Sequence, residues 1–558
     1  MRDLLLVAAI LFASAVVGYP ACLLLPAETF RARFVVAPTI GFAVLSASII
    51  CLYKLGISPQ ISLYAMCAAG LSATIAHVLH NRQRRAQPLA PTVIELGGAT
   101  VAIVVLCLLP AWIGGAQFTV FQGNVYDQFN VYLPGSVVFH QYDYATVMAA
   151  GASGNPVMGG AQFALNRPIS VVYAAFVGTH ATAAASSYAF TVALQVIMFF
   201  SALFLALHVF EAKKRIAIIV AGALTLGFFQ QYVLDINAWA QLSTQPIYLV
   251  VVAIVVLAFD PLLFGARPGE ALARLILFFA LLMAAATLLY PDSCGVYGVA
   301  EAAAAFISVI AKKPWTTKAM AFAGLGLGTV AALSVAYWYG LLAFLESSQV
   351  AGRALSHIDG WKYFQAYLLG RTENHVAVLA GGPIVPVVFL FSGFYWTAGK
   401  SFSIAAPLLF FFTVALVLSG IPMRPLARAA IMLFLVGHLV TGLLRPIFAA
   451  DSTGTKMVGL PDSAPAIESQ KAGMDWRMDR LAEQLHGCHG VILNIKHGFM
   501  NLMAQLVAAD VGVSWASLHP VDLGYAVRPP YKPAGWSGRI ASQVTICPIS
   551  TPAGARSG

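Results

Sequence analysis

The chain has 558 residues, 59% of them hydrophobic and 10% charged, with a mean hydropathy of +0.81. Soluble domains carry roughly 25% charged residues, so this composition excludes a soluble globular protein and indicates a membrane-embedded one. The formal charge of +10 is a topology signal rather than a nucleic-acid footprint, because Lys and Arg of membrane proteins gather in cytoplasmic loops.

The first stretch, "MRDLLLVAAILFASAVVGYPA", has the charge, apolar core and small residues of a signal peptide. Cleavage would place the basic cluster "NRQRRAQ" (81–87) outside, against the positive-inside rule, so a retained span with an external N-terminus fits better. Each crossing needs about 20 apolar residues. On that rule spans are predicted near 3–25, 34–55, 59–80, 94–114, 184–210, 216–234, 245–263, 271–290, 296–311, 319–345, 379–397, 402–420 and 429–449, about thirteen in all. Arg31/Arg33, the 81–87 cluster, Lys213/Lys214/Arg215, Arg267/Arg274, Lys312/Lys313/Lys318 and Lys400 then share the cytoplasmic side. Loops 115–183, 235–245, 290–298 and 346–378 share the other.

Arg424 and Arg428 break the pattern. Simple counting puts them outside and the tail inside; a re-entrant segment, or a crossing hidden in 346–378, reverses both. The tail itself changes character. In "MDWRMDRLAEQL", Met474, Met478, Leu481 and Leu485 fall on one helical face. "GVILNI" (490–495), "VGVSW" (511–515) and "QVTIC" read as strands, with a helix at 497–509 between the first two. The sequence thus predicts an α-helical polytopic membrane protein in three parts: an N-terminal three-span segment (1–90), a transmembrane core (91–450) and a small C-terminal α/β domain (451–558).

Cys22, Cys51, Cys67 and Cys107 lie in apolar runs and read as small buried side chains. Cys294, Cys488 and Cys547 lie outside such runs, and no Cys/His spacing suggests a zinc site. If the tail is external, Cys488 and Cys547 occupy an oxidising compartment and can pair.

Acids and amides collect in the external loops. "FQGNVYDQFNVYLPGS" (121–136) carries Asp127 amid Asn124, Gln128 and Asn130, with no Lys or Arg over 118–166. A carboxylate beside apolar surface has a raised pKa and can act as a general base; it can equally cap a helix starting near Gln128. Asp143 in "HQYDYA" is a second acid that could share a substrate or a metal. Asp292 in "LLYPDSCG" and Gln241 in "NAWAQL" sit at outer span ends, and Trp239 reads as an aromatic-belt anchor. Loop 346–378 supplies Arg353, Lys362 and Arg371 together with His375. "SHIDGWKYFQAYLLGR" within it can lie as an amphipathic helix on the interface. A guanidinium there suits a lipid phosphate, as Arg binds phosphate bidentately.

This arrangement resembles the GT-C superfamily of integral-membrane glycosyltransferases. The resemblance is carried by "VYDQF" after the 94–114 span, the long external loop and "YPD" at an external span end. It implies a bacterial inner-membrane enzyme with its active site facing the periplasm or exterior. The donor would be a polyprenyl-phosphate-linked sugar and the acceptor a hydroxyl on an envelope glycan, lipid or protein. In that reading Asp127 is the base. Asn124, Gln128, Asn130, Asp143, Asp292 and Gln241 bind acceptor or sugar, and Arg371, Lys362 or Arg353 holds the donor phosphate. Asp127 and Asp143 would be the ligands if a divalent metal takes part, and a single Asp in place of paired acids leaves that open. "GRTENHVAVL" loosely matches O-antigen ligases and polymerases, which would shift activity to Arg371 and His375. A transporter is the third reading, and nearly charge-free mid-span positions argue against it.

Overall fold

A computed structural model describes residues 2–25, 32–80, 93–113, 131–150, 155–177, 183–210, 212–227, 238–258, 268–291, 315–340, 424–433, 436–437, 478–486, 488, 490–495, 498–522, 527–528, 530 and 546–550. Its long helices are α1 (Arg2–Ala21), α2 (Ala37–Lys54), α3 (Pro59–His80) and α4 (Val93–Ile113), then four short ones, α5 (Leu133–Gln141), α6 (Tyr144–Ala149), α7 (Pro156–Ala164) and α8 (Ile169–Phe176). After them come α9 (Ala183–His208), α10 (Lys214–Leu226), α11 (Trp239–Ala258), α12 (Pro268–Leu289) and α13 (Trp315–Tyr339). Among the described residues, five helical stretches are long and apolar enough to cross a membrane: Asp3–Leu24, Arg33–Lys54, Pro59–His80, Ser186–His208 and Phe322–Tyr339. Ile94–Leu109, Trp239–Val255 and Ile276–Leu289 are shorter apolar helices. This is a helical, membrane-embedded chain. The spans expected at 296–311, 379–397 and 402–420 lie outside the described residues.

Helix α9 is the axis. It is buried from Ser186 to Ala206, and α1, α2, α4, α10 and α11 pack around it. Helices in lipid associate through close backbone approach and interhelical hydrogen bonds rather than apolar burial alone, and both occur here. Gly18 of α1 faces Gly41 of α2 so closely that a Cβ on Gly41 would lie 1.6 Å from the Ser14 carbonyl oxygen. The Thr39 and Ser201 hydroxyls meet at 2.7 Å between α2 and α9, and Thr39 Oγ1 also donates to the Ile197 carbonyl.

The segment between α4 and α9 was expected as a long external loop. Its described part is instead a packed layer. Leu133–Phe139 and Ile169–Ala175 are buried; α5 packs on both α7 and α8, and α8 packs on α2 and α3. Local signals set these short helices. Pro134 and Pro156 occupy first-turn positions, where a missing N–H costs nothing. Asn155 Oδ1 accepts from Val157 N and Met158 N, as N-caps do.

In the tail, α14 (Met478–Leu485) precedes β1 (Gly490–Asn494), α15 (Gly498–Asp510) and β2 (Ser514–Ser517), with a short β3–β4 hairpin (Val521–Asp522, Val527–Arg528) and β5 (Ile546–Ser550). β1 pairs in parallel with both β2 and β5, giving the order β2-β1-β5. The strand expected at 511–515 begins three residues later. Gly512, at φ +74°, closes α15: Val513 N donates to Ala508 O and Gly512 N to Ala509 O, the Schellman pattern that needs a left-handed residue. Of "QVTIC", Ile546 and Cys547 lie in β5, and residues 543–545 lie outside the described residues. Cys488 is in a disulfide, whereas Cys22 and Cys107 are buried thiols and Cys51 and Cys67 half-buried ones.

Candidate functional site

The helix ends assigned to the outer face meet at one end of the bundle. There Tyr53 at the end of α2 donates its hydroxyl to the Tyr142 carbonyl, and Gln60 at the start of α3 donates to the Ala174 carbonyl. Lys54 Nζ donates to the Trp338 carbonyl at the end of α13. Its ammonium lies 4.6 Å from the Trp338 ring centroid, 5.2 Å from Tyr339 and 6.0 Å from Tyr144, within cation–π reach. At the opposite end Ala32 N donates to His208 Nε2, and Arg33, Lys213, Lys214 and Arg215 belong to that end by their place on α2 and α10. The division of span ends read from the basic residues therefore matches the packing of the described helices.

Trp239, at the head of α11, is not a belt anchor but a core residue, fully buried. It stacks on Tyr132 (5.4 Å between centroids), meets Tyr173 and Phe190 edge-on, and donates Nε1–H to Thr191 Oγ1 at 2.9 Å. The reason is the α5–α8 layer: it covers the helix head that an aromatic belt would expose. Two and six residues further along α11, Gln241 and Gln245 are buried too. Beside this cluster Arg167, half-buried in the α7–α8 turn, places its guanidinium 5.6 Å from the Tyr290 ring.

Asp127, Asn124, Gln128, Asn130, Asp292, Arg353, Lys362, Arg371 and His375 lie outside the described residues. Their described neighbours do not scatter. Val131 and Tyr132 follow the Asp127 loop, Tyr290 and Pro291 precede Asp292, and Gln241 follows Trp239; Tyr132–Trp239–Tyr173 and Arg167–Tyr290 tie these places to the single layer α5–α8. Asp143 is exposed and caps α6, accepting from Thr146 N at 2.7 Å. Hydrogen bonds from Thr146 hold its carboxyl below the usual carboxylate range, the wrong direction for a proton acceptor at neutral pH. Among the described residues no three His, Cys, Asp or Glu side chains are grouped so as to hold a metal ion; Asp127, a ligand expected from the resemblance, lies outside them. Sequence reasoning passed over Lys54 and Arg167. Lys54 ends α2 at the end of the bundle assigned to the outer face, and Arg167 is the first cation after the basic-free stretch 118–166.

The tail packs onto this same end. Gln141 Nε2 at the end of α5 donates to the Ala509 carbonyl at 2.9 Å, and Ala183 N at the head of α9 donates to Asp510 Oδ2 at 2.5 Å. An acid at a helix N-terminus is favoured by the exposed N–H groups and the helix dipole, yet burial dominates and pushes the Asp510 carboxyl up to about 7. No protein-family model matches the chain, and no curated protein or solved structure is significantly similar to it.

Proposed function

We propose that the chain is an integral-membrane glycosyltransferase of GT-C-like architecture, moving a sugar from a polyprenyl-phosphate donor to a hydroxyl acceptor at the capped end of the bundle. One observation supports this most: the described flanks of Asp127, Gln241 and Asp292 converge under one packed layer that also carries Arg167. The acceptor hydroxyl gives its proton to Asp127 and attacks the anomeric carbon. The bond from that carbon to the phosphate oxygen breaks, inverting the centre, and the polyprenyl phosphate leaves as an anion neutralised by Arg371, Lys362 or Arg353. Arg167 at the same end is a further cation for that charge.

In this reading the capped end faces the periplasm or exterior of a bacterial inner membrane, since the basic span ends lie opposite. The Cys488 disulfide agrees with an oxidising compartment. A tail on the capped side requires a re-entrant segment or one more crossing than the thirteen expected, within 341–477. The experiment is direct. Purified protein in proteoliposomes is given radiolabelled polyprenyl-phosphate hexoses and pentoses together with envelope glycan, lipid and protein fractions as hydroxyl acceptors, and release of polyprenyl phosphate is measured. Release above protein-free liposomes is the expected result; none with any donor rejects the proposal.

A further inference from the structure

The tail contains polar chemistry that the transfer reaction does not use. β1 is the central strand of the order β2-β1-β5. The chain leaves it through α15 to β2 on one side, while β5 lies on the other. The carboxyl end of β1 is therefore a point where the strand order reverses, and ligands of open parallel sheets bind in the crevice at such points. Asn494 ends β1 and stands in register with Ser550 of β5. His519, just past β2, crosses to it: His519 Nε2 and Asn494 Oδ1 are 2.8 Å apart.

A buried polar network holds that residue in place. Asn501, Gln505 and Ser517 are fully buried. Asn501 Nδ2 donates to Ser517 Oγ at 2.8 Å, and Gln505 Nε2 donates to Asn501 Oδ1 at 3.0 Å. The Asn501 amide and the Ser517 hydroxyl both donate to the His519 carbonyl, at 3.1 and 2.8 Å. Buried amides and hydroxyls are costly unless satisfied. Here their shared end point is the backbone of one half-exposed histidine, the kind of support that fixes a binding group.

We infer that the carboxyl edge of this sheet binds a neutral, hydroxyl-rich ligand, a glycan chain, through Asn494 and His519. With Asn494 Oδ1 as acceptor, His519 Nε2 is the donor, and in that tautomer Nδ1 is an acceptor. The Asn494 amide N–H groups stand beside it as donors. Alternating donor and acceptor match adjacent sugar hydroxyls, which do both. This pair sets an acceptor beside its donors, whereas a phosphate is best held by donors alone, and the β1–α15 connection has no Gly-rich loop for one. The site is distal. α15 runs back from this edge to the Gln141–Ala509 and Ala183–Asp510 contacts, so about 20 Å of helix separates the two. The choice of glycan rests on the proposed transferase reading, with the tail gripping the acceptor polymer away from the reacting end.

The test uses the full-length protein in nanodiscs and immobilised neutral polysaccharides: glucans, mannans, galactans and arabinans. Wild type is expected to be retained on at least one. His519→Ala and Asn494→Ala, each with an unchanged melting temperature, should bind it about tenfold more weakly, the loss of roughly one hydrogen bond to ligand. No retention on any of the four, binding by both variants as tight as wild type, or retention only on phosphate-bearing resin overturns the inference. Glycan binding through His519 in a protein that releases no polyprenyl phosphate would uphold the site while rejecting the transferase reading.

Discussion

Asp510 makes the attachment of the tail pH-dependent in a direction that can be worked out. Its carboxyl sits at the seam, accepts from Ala183 N, and is raised from 3.8 to about 7, chiefly by burial. The docked state thus binds a proton more tightly than the undocked one. Its stabilising contribution is complete below the undocked value and is lost as pH rises toward 7, after which the slope vanishes. Each pH step within that window costs up to about 1.4 kcal/mol, so docking should weaken by roughly 2–3 kcal/mol between pH 5 and pH 8. Asp510→Asn keeps an oxygen for the Ala183 amide and removes the charge. Hydrogen exchange of peptides spanning 183–190 and 498–510, followed from pH 5 to 8 and corrected for intrinsic exchange, reports the opening. Protection should fall with pH in wild type and stay nearly level in Asp510→Asn. An equal slope in both proteins would refute the reasoning.

Other perturbations follow from the packing. Gly41→Ala puts a methyl against the Ser14 carbonyl and should destabilise the α1–α2 pair by about 2 kcal/mol or more; an unchanged unfolding midpoint in detergent would contradict that contact. Trp239→Ala should cost about 3–5 kcal/mol as a buried large-to-small change, whereas a true belt anchor would lose far less; chemical unfolding in mixed micelles separates them. Cys488 should resist alkylation until reduced, with Cys547 released alongside it; a freely alkylated Cys547 would move the partnership to another thiol.

Much of this fold is legible in the sequence because lipid imposes a simple requirement. A helix must carry about 20 apolar residues to cross, so α1, α2, α3 and α9 announce themselves and their ends fall within a few residues of expectation. What is less legible depends on tertiary cover. Trp239 has the sequence context of an interfacial aromatic, and only the α5–α8 layer, whose short helices have no long periodicity to reveal them, turns it into core. The late start of β2 hangs on one backbone angle at Gly512, which outweighs the apolar run "VGV". Lys54 and Arg167 escaped notice for a related reason: each bounds an apolar or basic-free stretch and so reads as punctuation. Within the site, Asp143 shows the gap most clearly. Its place after Asp127 suggests shared chemistry, and only the structure adds that it also caps α6 through the Thr146 N–H three residues on.

The central claim is that a carboxylate following α4 in the chain performs proton transfer at the capped end, and Asp127→Asn tests it most directly. Asn caps a helix about as well as Asp but cannot accept the proton, and removing a general base typically costs about 10²–10⁴-fold in rate. Single-turnover transfer is measured with a polyprenyl-phosphate donor that wild type uses, at saturating acceptor and with donor binding recorded in parallel. The account predicts unchanged folding and donor binding with transfer slowed at least about a hundredfold. Transfer by Asp127→Asn at near the wild-type rate would contradict it.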